Sequence, residues 1–182
     1  MLEDWILKKK WHTYKCKMFN VLEKEYINPE NNINFIAQVL ELPSWVNIIG
    51  TDEDGNILLI KQYRFGTDTI ELEIPGGIIE PKESPKKASI RELKEETGYD
   101  IKSIRQIGFV NANPAIMNNK CYTFLAELSE KGAVKFDPNE IIETEFASPN
   151  QVKNYLYEGK ITNAYVICAF LWYFVFNLND KK

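Results

Sequence analysis

Histidine is nearly missing from this chain: among 182 residues there is one, His12. That leaves little room for a histidine-rich metal site or a histidine-based nucleophilic triad, so acid–base chemistry here falls to carboxylates. Cysteine is scarce too. Cys16, Cys121 and Cys168 are far apart, odd in number and form no C-x-x-C pair. This supports neither a disulfide framework nor a thiolate zinc site, and a reducing cytoplasm is the simplest setting. Strong charge of one sign is absent, since the net charge is −4. Nothing therefore points to nucleic acid as a partner, and an anionic substrate would need a cation or a local basic patch. The longest apolar run, residues 164–176, has 13 residues. A membrane span needs about 20, so a buried C-terminal helix is expected and no membrane partner. After the lysine cluster Lys8–Lys10 no apolar stretch follows, so the N-terminus does not read as a secretory signal.

What remains is ordinary globular usage, with 45% apolar and 26% charged residues. The pattern predicts a β-rich appendage over 1–43, broken by the turn cluster Asn28–Asn32, and a main domain over 44–182. Strands are predicted at 34–42, 45–51, 57–63, 70–74, 106–111, 121–128 and 141–147. The second and third of these flank Asp54-Gly55 and read as a hairpin. A helix is predicted from Ser84 as N-cap, through Pro85, to a stop at Gly98. Two more are predicted near 150–157 and 163–177. The order is that of a mixed α/β domain.

The chemistry-bearing segment is Arg91-Glu92-Leu93-Lys94-Glu95-Glu96-Thr97-Gly98. On a helix, positions i, i+3 and i+4 share a face, so Glu92, Glu95 and Glu96 project together, while Ile90 and Leu93 can pack on a sheet. Like charges on one face repel, and a divalent cation removes that repulsion. Oxygen ligands favour Mg²⁺, Mn²⁺ or Ca²⁺ over zinc. Taken alone, the pattern is weak and reads first as a solvated acidic face balanced by Arg91 and Lys94.

The wider spacing is more specific. Gly77, Glu83, Arg91, Glu92, Glu95, Glu96 and Gly98 match all seven fixed positions of G-x₅-E-x₇-R-E-U-x-E-E-x-G-U, with Leu93 at the first aliphatic position U. This resembles the Nudix box. Tyr99 departs from it, standing where an aliphatic residue is usual. The resemblance implies an α/β/α sandwich with a mixed sheet, here carrying the small N-terminal β-rich subdomain, and the box as loop–helix–loop. It implies Mg²⁺ as cofactor, with Mn²⁺ as a substitute. Glu92 and Glu96 would be the principal metal ligands, Glu95 would assist, and the Gly76 carbonyl would be a main-chain ligand. Glu83 would be an additional or outer metal group, or a loop acid near a helix N-terminus. Arg91 resembles the family's orienting arginine and can also pair with Glu95 at i,i+4.

Three further features resemble the ADP-ribose pyrophosphatase subgroup. Gln62-Tyr63-Arg64 ends a predicted strand, and Arg64 would contact a diphosphate, as guanidinium does in a bidentate manner. Glu73 lies in the segment Glu71–Gly77 that recurs there. Pro114 stands 15 residues beyond Tyr99, in a loop with Met117. The subgroup implies substrate contacts from Arg64, Glu73, Trp45 and Met117, and an N-terminal appendage that pairs in a homodimer. Trp45 fits a base-stacking role and a core role alike. A proton acceptor is expected in the loop 137–143, with Glu140 favoured over Glu143, although a box glutamate could also serve. The function implied is hydrolysis of ADP-ribose or a related nucleotide sugar. The alternatives are a Nudix hydrolase of dinucleoside polyphosphates, NADH or nucleoside triphosphates, and a non-catalytic nucleotide sensor.

Overall fold

The computed structural model describes residues 3–132 and 141–179, with the side chains of 176–179 excepted. The chain forms two compact units. The first is Met1–Pro43 with Asn111–Lys120, and the second is Ser44–Val110 with Cys121–Lys182.

The first unit is an antiparallel sheet of β1 (Ile6–Lys15), β2 (Asn20–Ile27) and β3 (Asn34–Glu41), in that order. The polar cluster 28–32 turns β2 into β3. Asn28 and Asn31 use their side-chain oxygens to accept the N–H groups of Glu30 and Ile33, and Asn32 takes the left-handed conformation, φ 59°. The segment 111–120 joins this unit through backbone hydrogen bonds. Leu40 N–H donates to the Ile116 carbonyl, and Asn118 N–H donates to that of Leu40. A linear reading of the sequence gives this segment to the main domain; the grouping arises from pairing across more than seventy positions.

The second unit contains β4 (Trp45–Thr51), β5 (Ile57–Arg64), β6 (Thr69–Glu73), β7 (Gly76–Ile78), α1 (Pro85–Thr97), β8 (Tyr99–Asn111), β9 (Lys120–Lys131), β10 (Ile142–Ala147), α2 (Pro149–Tyr157) and α3 (Ala164–Asn179). Its sheet runs β10-β5-β4-β9-β8, with β6 on β5 and β7 on β4. The β4–β9 pair is parallel and the β4–β7, β5–β6 and β5–β10 pairs are antiparallel, so the sheet is mixed.

Alternation along the strands divides the core in two. Val46, Ile48, Leu58, Phe124, Ala126 and Leu128 pack with Ala88 and Leu93 of α1. Ile49, Ile57 and Leu59 pack with Val152 of α2 and with Val166, Ala169 and Phe170 of α3. The result is the expected α/β/α sandwich. At about 25 cal/mol per Å² of apolar surface, each fully buried Leu or Ile contributes roughly 1.5–3 kcal/mol. The first layer therefore holds α1 against the sheet, and the second holds α2 and α3.

Three local expectations are corrected. Residues 45–63 do not form a plain hairpin. β4 and β5 meet at Thr51 and Ile57, then part, and β7 pairs along β4 beyond that point. Ile90 does not pack on the sheet; it is 41% exposed at the margin of the buried arc centred on Leu93. β8 begins at Tyr99 rather than 106, because Tyr99, Ile101 and Ile104, each partly buried, pack against the core between polar residues. Among the described residues, no helix is long and apolar enough to cross a membrane.

Candidate functional site

The site is built around the splay of β4 and β5. β9 takes one edge of β4 from Trp45 to Thr51. The other edge is left for β7, with Val46 opposite Gly77 and Asn47 opposite Gly76. Only glycine fits here. A Cβ on Gly76 would stand 2.4 Å from the Val46 carbonyl oxygen, and one on Gly77 would stand 2.3 Å from the Glu92 carboxylate.

Against this strand lies α1. Ser84 caps its start by accepting the Lys87 N–H, and Gly98, at φ 78°, ends it with its N–H on the Lys94 carbonyl. With both ends fixed and Leu93 buried, the acidic face is directed at the glycines. Glu96 is 5% exposed, and its carboxylate accepts the Gly76 N–H at 2.9 Å. The Glu92 side chain is 16% exposed, and that of Glu95 is 48% exposed.

Arg91 is the hub among the remaining acids. Its Nε and Nη2 donate to the two oxygens of Glu83 at 3.0 and 2.9 Å, a bidentate pair. Its Nη1 lies 2.9 Å from Glu92 and 3.1 Å from Glu95, and Nη2 also donates to the Ile78 carbonyl. The Glu83 hydrogen bond, followed by the charge of Glu92, holds the guanidinium even more firmly protonated than usual. In return the Arg91 hydrogen bond lowers the Glu83 pKa against the opposing effect of burial, with the Glu80 N–H adding to it. As the chain stands, no three acidic, cysteine or histidine side chains among the described residues converge as a metal cage. Glu83, Glu92 and Glu95 face Arg91, and Glu96 faces the Gly76 N–H.

The other named residues are placed as follows. Arg64, at the end of β5, forms a second bidentate pair: Nε and Nη2 donate to Glu73 at 3.1 and 2.5 Å. Glu73 is 3% exposed while the Arg64 side chain is 40% exposed. Trp45 stands edge-on to Tyr165, with ring centroids 5.2 Å apart. Met117 lies in the first unit, bridged to Leu40, with its N–H on the Asn113 carbonyl. Glu143 is exposed on β10 opposite Lys61, whereas Glu140 lies outside the described residues. Tyr99, at the aliphatic position of the box, packs edge-on against Phe146 at 5.7 Å and has the Lys131 ammonium over its ring at 5.2 Å. Sequence reasoning did not find Asn163, whose side chain also reaches Glu73, at 3.1 Å. No local pattern marks it, because the two residues are 90 positions apart.

The family model described as NUDIX domain matches residues 42–170. The chain belongs to the NUDIX domain family. An ADP-ribose pyrophosphatase of Bacillus subtilis is 32% identical to this NUDIX chain over 110 residues, which is 58% of each protein. The match thus spans little more than half of that relative's length. A methanol dehydrogenase activator of Bacillus methanolicus is 25% identical over 134 residues, 72% of each. The crystal structure of an ADP compounds hydrolase superposes with a TM-score of 0.86 at 19% identity, covering 99% of this chain and 97% of that one. That likeness is one of fold. The whole box, Gly77 to Tyr99, lies inside the span matched to the NUDIX model.

Proposed function

We propose that this NUDIX chain is a Mg²⁺-dependent hydrolase of the diphosphate linkage in ADP-ribose or a related nucleoside diphosphate sugar. Its products would be a nucleoside monophosphate and a sugar phosphate. The observation that carries the reading is the closeness of Glu92 and Glu96 to Gly76 and Gly77 of β7, where a Cβ would fill the space. The relative named as an ADP-ribose pyrophosphatase supports the choice of substrate.

The donors present fit the metal by their chemistry. Two carboxylates, Glu92 and Glu96, and the Gly76 carbonyl would form an all-oxygen set, with Glu95 and Glu83 as further acids. Mg²⁺ is held by one or two carboxylates plus waters and substrate phosphates, so a full protein cage is not required. Mn²⁺ would substitute. When bound, such an ion supplies positive charge for the diphosphate and acidifies water. The chain's own groups do the rest. Arg64 offers a charged, directional donor to phosphate oxygens. Arg91 holds three acids at fixed positions while keeping their mutual repulsion low. Trp45 offers an aromatic face to a base. Glu140 is the favoured proton acceptor, with Glu143 second and a box glutamate third.

Two finer features belong to the same reading. The first unit exposes Trp5, Ile6, Leu7, Phe35 and Ile36, each about half accessible, which supports a homodimer. Cys16, Cys121 and Cys168 are free thiols, as in a reducing cytoplasm.

The test is a substrate panel with Mg²⁺: ADP-ribose, ADP-glucose, GDP-mannose, NADH, diadenosine polyphosphates and dGTP, with products separated by chromatography. AMP and ribose 5-phosphate from ADP-ribose are expected. Preference for dGTP or diadenosine polyphosphates would overturn the substrate class, and tight nucleotide binding without turnover would favour a sensor.

A further inference from the structure

Glu73 is buried and acidic, and its carboxylate has two neighbours. Oε1 accepts from Arg64 Nε at 3.1 Å and from Asn163 Nδ2 at 3.1 Å, and Oε2 accepts from Arg64 Nη2 at 2.5 Å. Asn163 uses its other end as well. Its Oδ1 accepts the Tyr165 N–H at 2.9 Å, capping the first turn of α3, whose Ile167 N–H bonds to the Asn163 carbonyl. One amide therefore joins the start of α3 to the acid that grips Arg64.

We propose that Asn163 is a positioning residue for Arg64, acting through Glu73. The proposal rests on the reading of Arg64 as the diphosphate contact. A carboxylate and a guanidinium joined by two hydrogen bonds share a plane, so whatever fixes one plane fixes the other. The two bonds of the pair fix Arg64 relative to Glu73, and the Asn163 bond to Oε1 holds Glu73 from outside the pair. The Asn163 amide supplies the third point, and it stands on a helix packed into the core through Val166, Ala169 and Phe170. Losing the amide leaves the charge of Arg64 intact and removes its direction. Charge without direction weakens bidentate phosphate binding, because that binding depends on the planar fork.

The surrounding loop does not depend on this bond. Thr162 donates to Glu71 at 2.7 Å, and Thr67 and Thr69 donate to the same carboxylate at 3.0 and 2.8 Å. Hydrogen bonds from these hydroxyls, Thr162 foremost, lower the Glu71 pKa and keep it charged. The link between β6 and the start of α3 therefore survives a change at Asn163.

Asn163→Ser tests the idea, because serine keeps an N-cap oxygen and cannot reach Glu73. The first readout is the Arg64 Nε–H resonance in the substrate-free protein, assigned by its loss in Arg64→Ala. Its hydrogen exchange is expected to quicken several-fold in Asn163→Ser. The second is kinetic: KM for ADP-ribose should rise about tenfold, the scale of one hydrogen bond to a charged group. In the same variant kcat should hold, and Tm should fall by no more than a few degrees for the lost bond to a buried carboxylate. Unchanged Nε–H exchange in Asn163→Ser overturns the positioning role, as does a loss confined to Tm. Undiminished ADP-ribose binding by Arg64→Ala instead overturns the diphosphate role of Arg64, and the exchange measurement still decides what Asn163 does.

Discussion

The Gly76 N–H donates to the Glu96 carboxylate at 2.9 Å, joining the glycine pair of β7 to the fourth turn of the acidic helix. This bond orients Glu96 through one oxygen. Glu96→Gln retains an acceptor for it and removes the charge. Turnover is expected to fall by roughly 100-fold or more, the scale on which one electrostatic partner acts at a reacting centre. The circular dichroism spectrum and Tm should stay close to the parent. Unaltered kcat would exclude Glu96 from the metal-holding set.

Gly77→Ala addresses the second glycine of β7. The new methyl would sit 2.3 Å from the Glu92 carboxylate, the far end of a flexible side chain. Glu92 must swing aside, and Arg91, 2.9 Å away, loses that partner's geometry. A stability loss of about 1–3 kcal/mol is expected, as for overpacking generally, together with a marked rise in the Mg²⁺ concentration needed for half-maximal rate. Denaturant melts and a Mg²⁺ titration would measure the two. An alanine variant with parental Mg²⁺ dependence would show that Glu92 works without its present placement.

Glu83 provides a pH signature. The Arg91 hydrogen bond holds its pKa below the ordinary 4.5. An acid whose folded pKa is depressed contributes stability that is complete above its unfolded value and lost as pH falls through the folded one. The parent should therefore exceed Glu83→Gln in Tm at pH 7, and the gap should close on acidification below 4.5. A gap that is constant from about pH 7 to about pH 3 would separate the Glu83 contribution from its ionisation.

The sandwich, the box helix and its acidic face were legible in the sequence because each rests on local information. Ser84, Pro85 and Gly98 punctuate α1, and a 3.6-residue period groups Glu92, Glu95 and Glu96. Long-range pairing was not legible. Nothing near Gly76 announces that β7 will lie along β4, and nothing near Glu83 announces its two-bond grip by Arg91 eight residues later. The start of β8 was not legible because its partly buried residues Tyr99, Ile101 and Ile104 break strict alternation among Lys102, Arg105 and Gln106. Asn163 was missed because a loop amide carries no signal until its partner is folded beside it.

The polypeptide passes from one unit to the other three times, near positions 43, 110 and 120. No single cleavage can therefore separate the N-terminal sheet from the rest as two self-sufficient pieces. Removing residues 1–43 would strip 111–120 of the Leu40 backbone and of the Pro43 carbonyl that receives the Asn119 amide at 3.2 Å. The fragment left behind would carry an orphaned loop in mid-chain, so the N-terminal sheet and the 111–120 segment are inherited and engineered together.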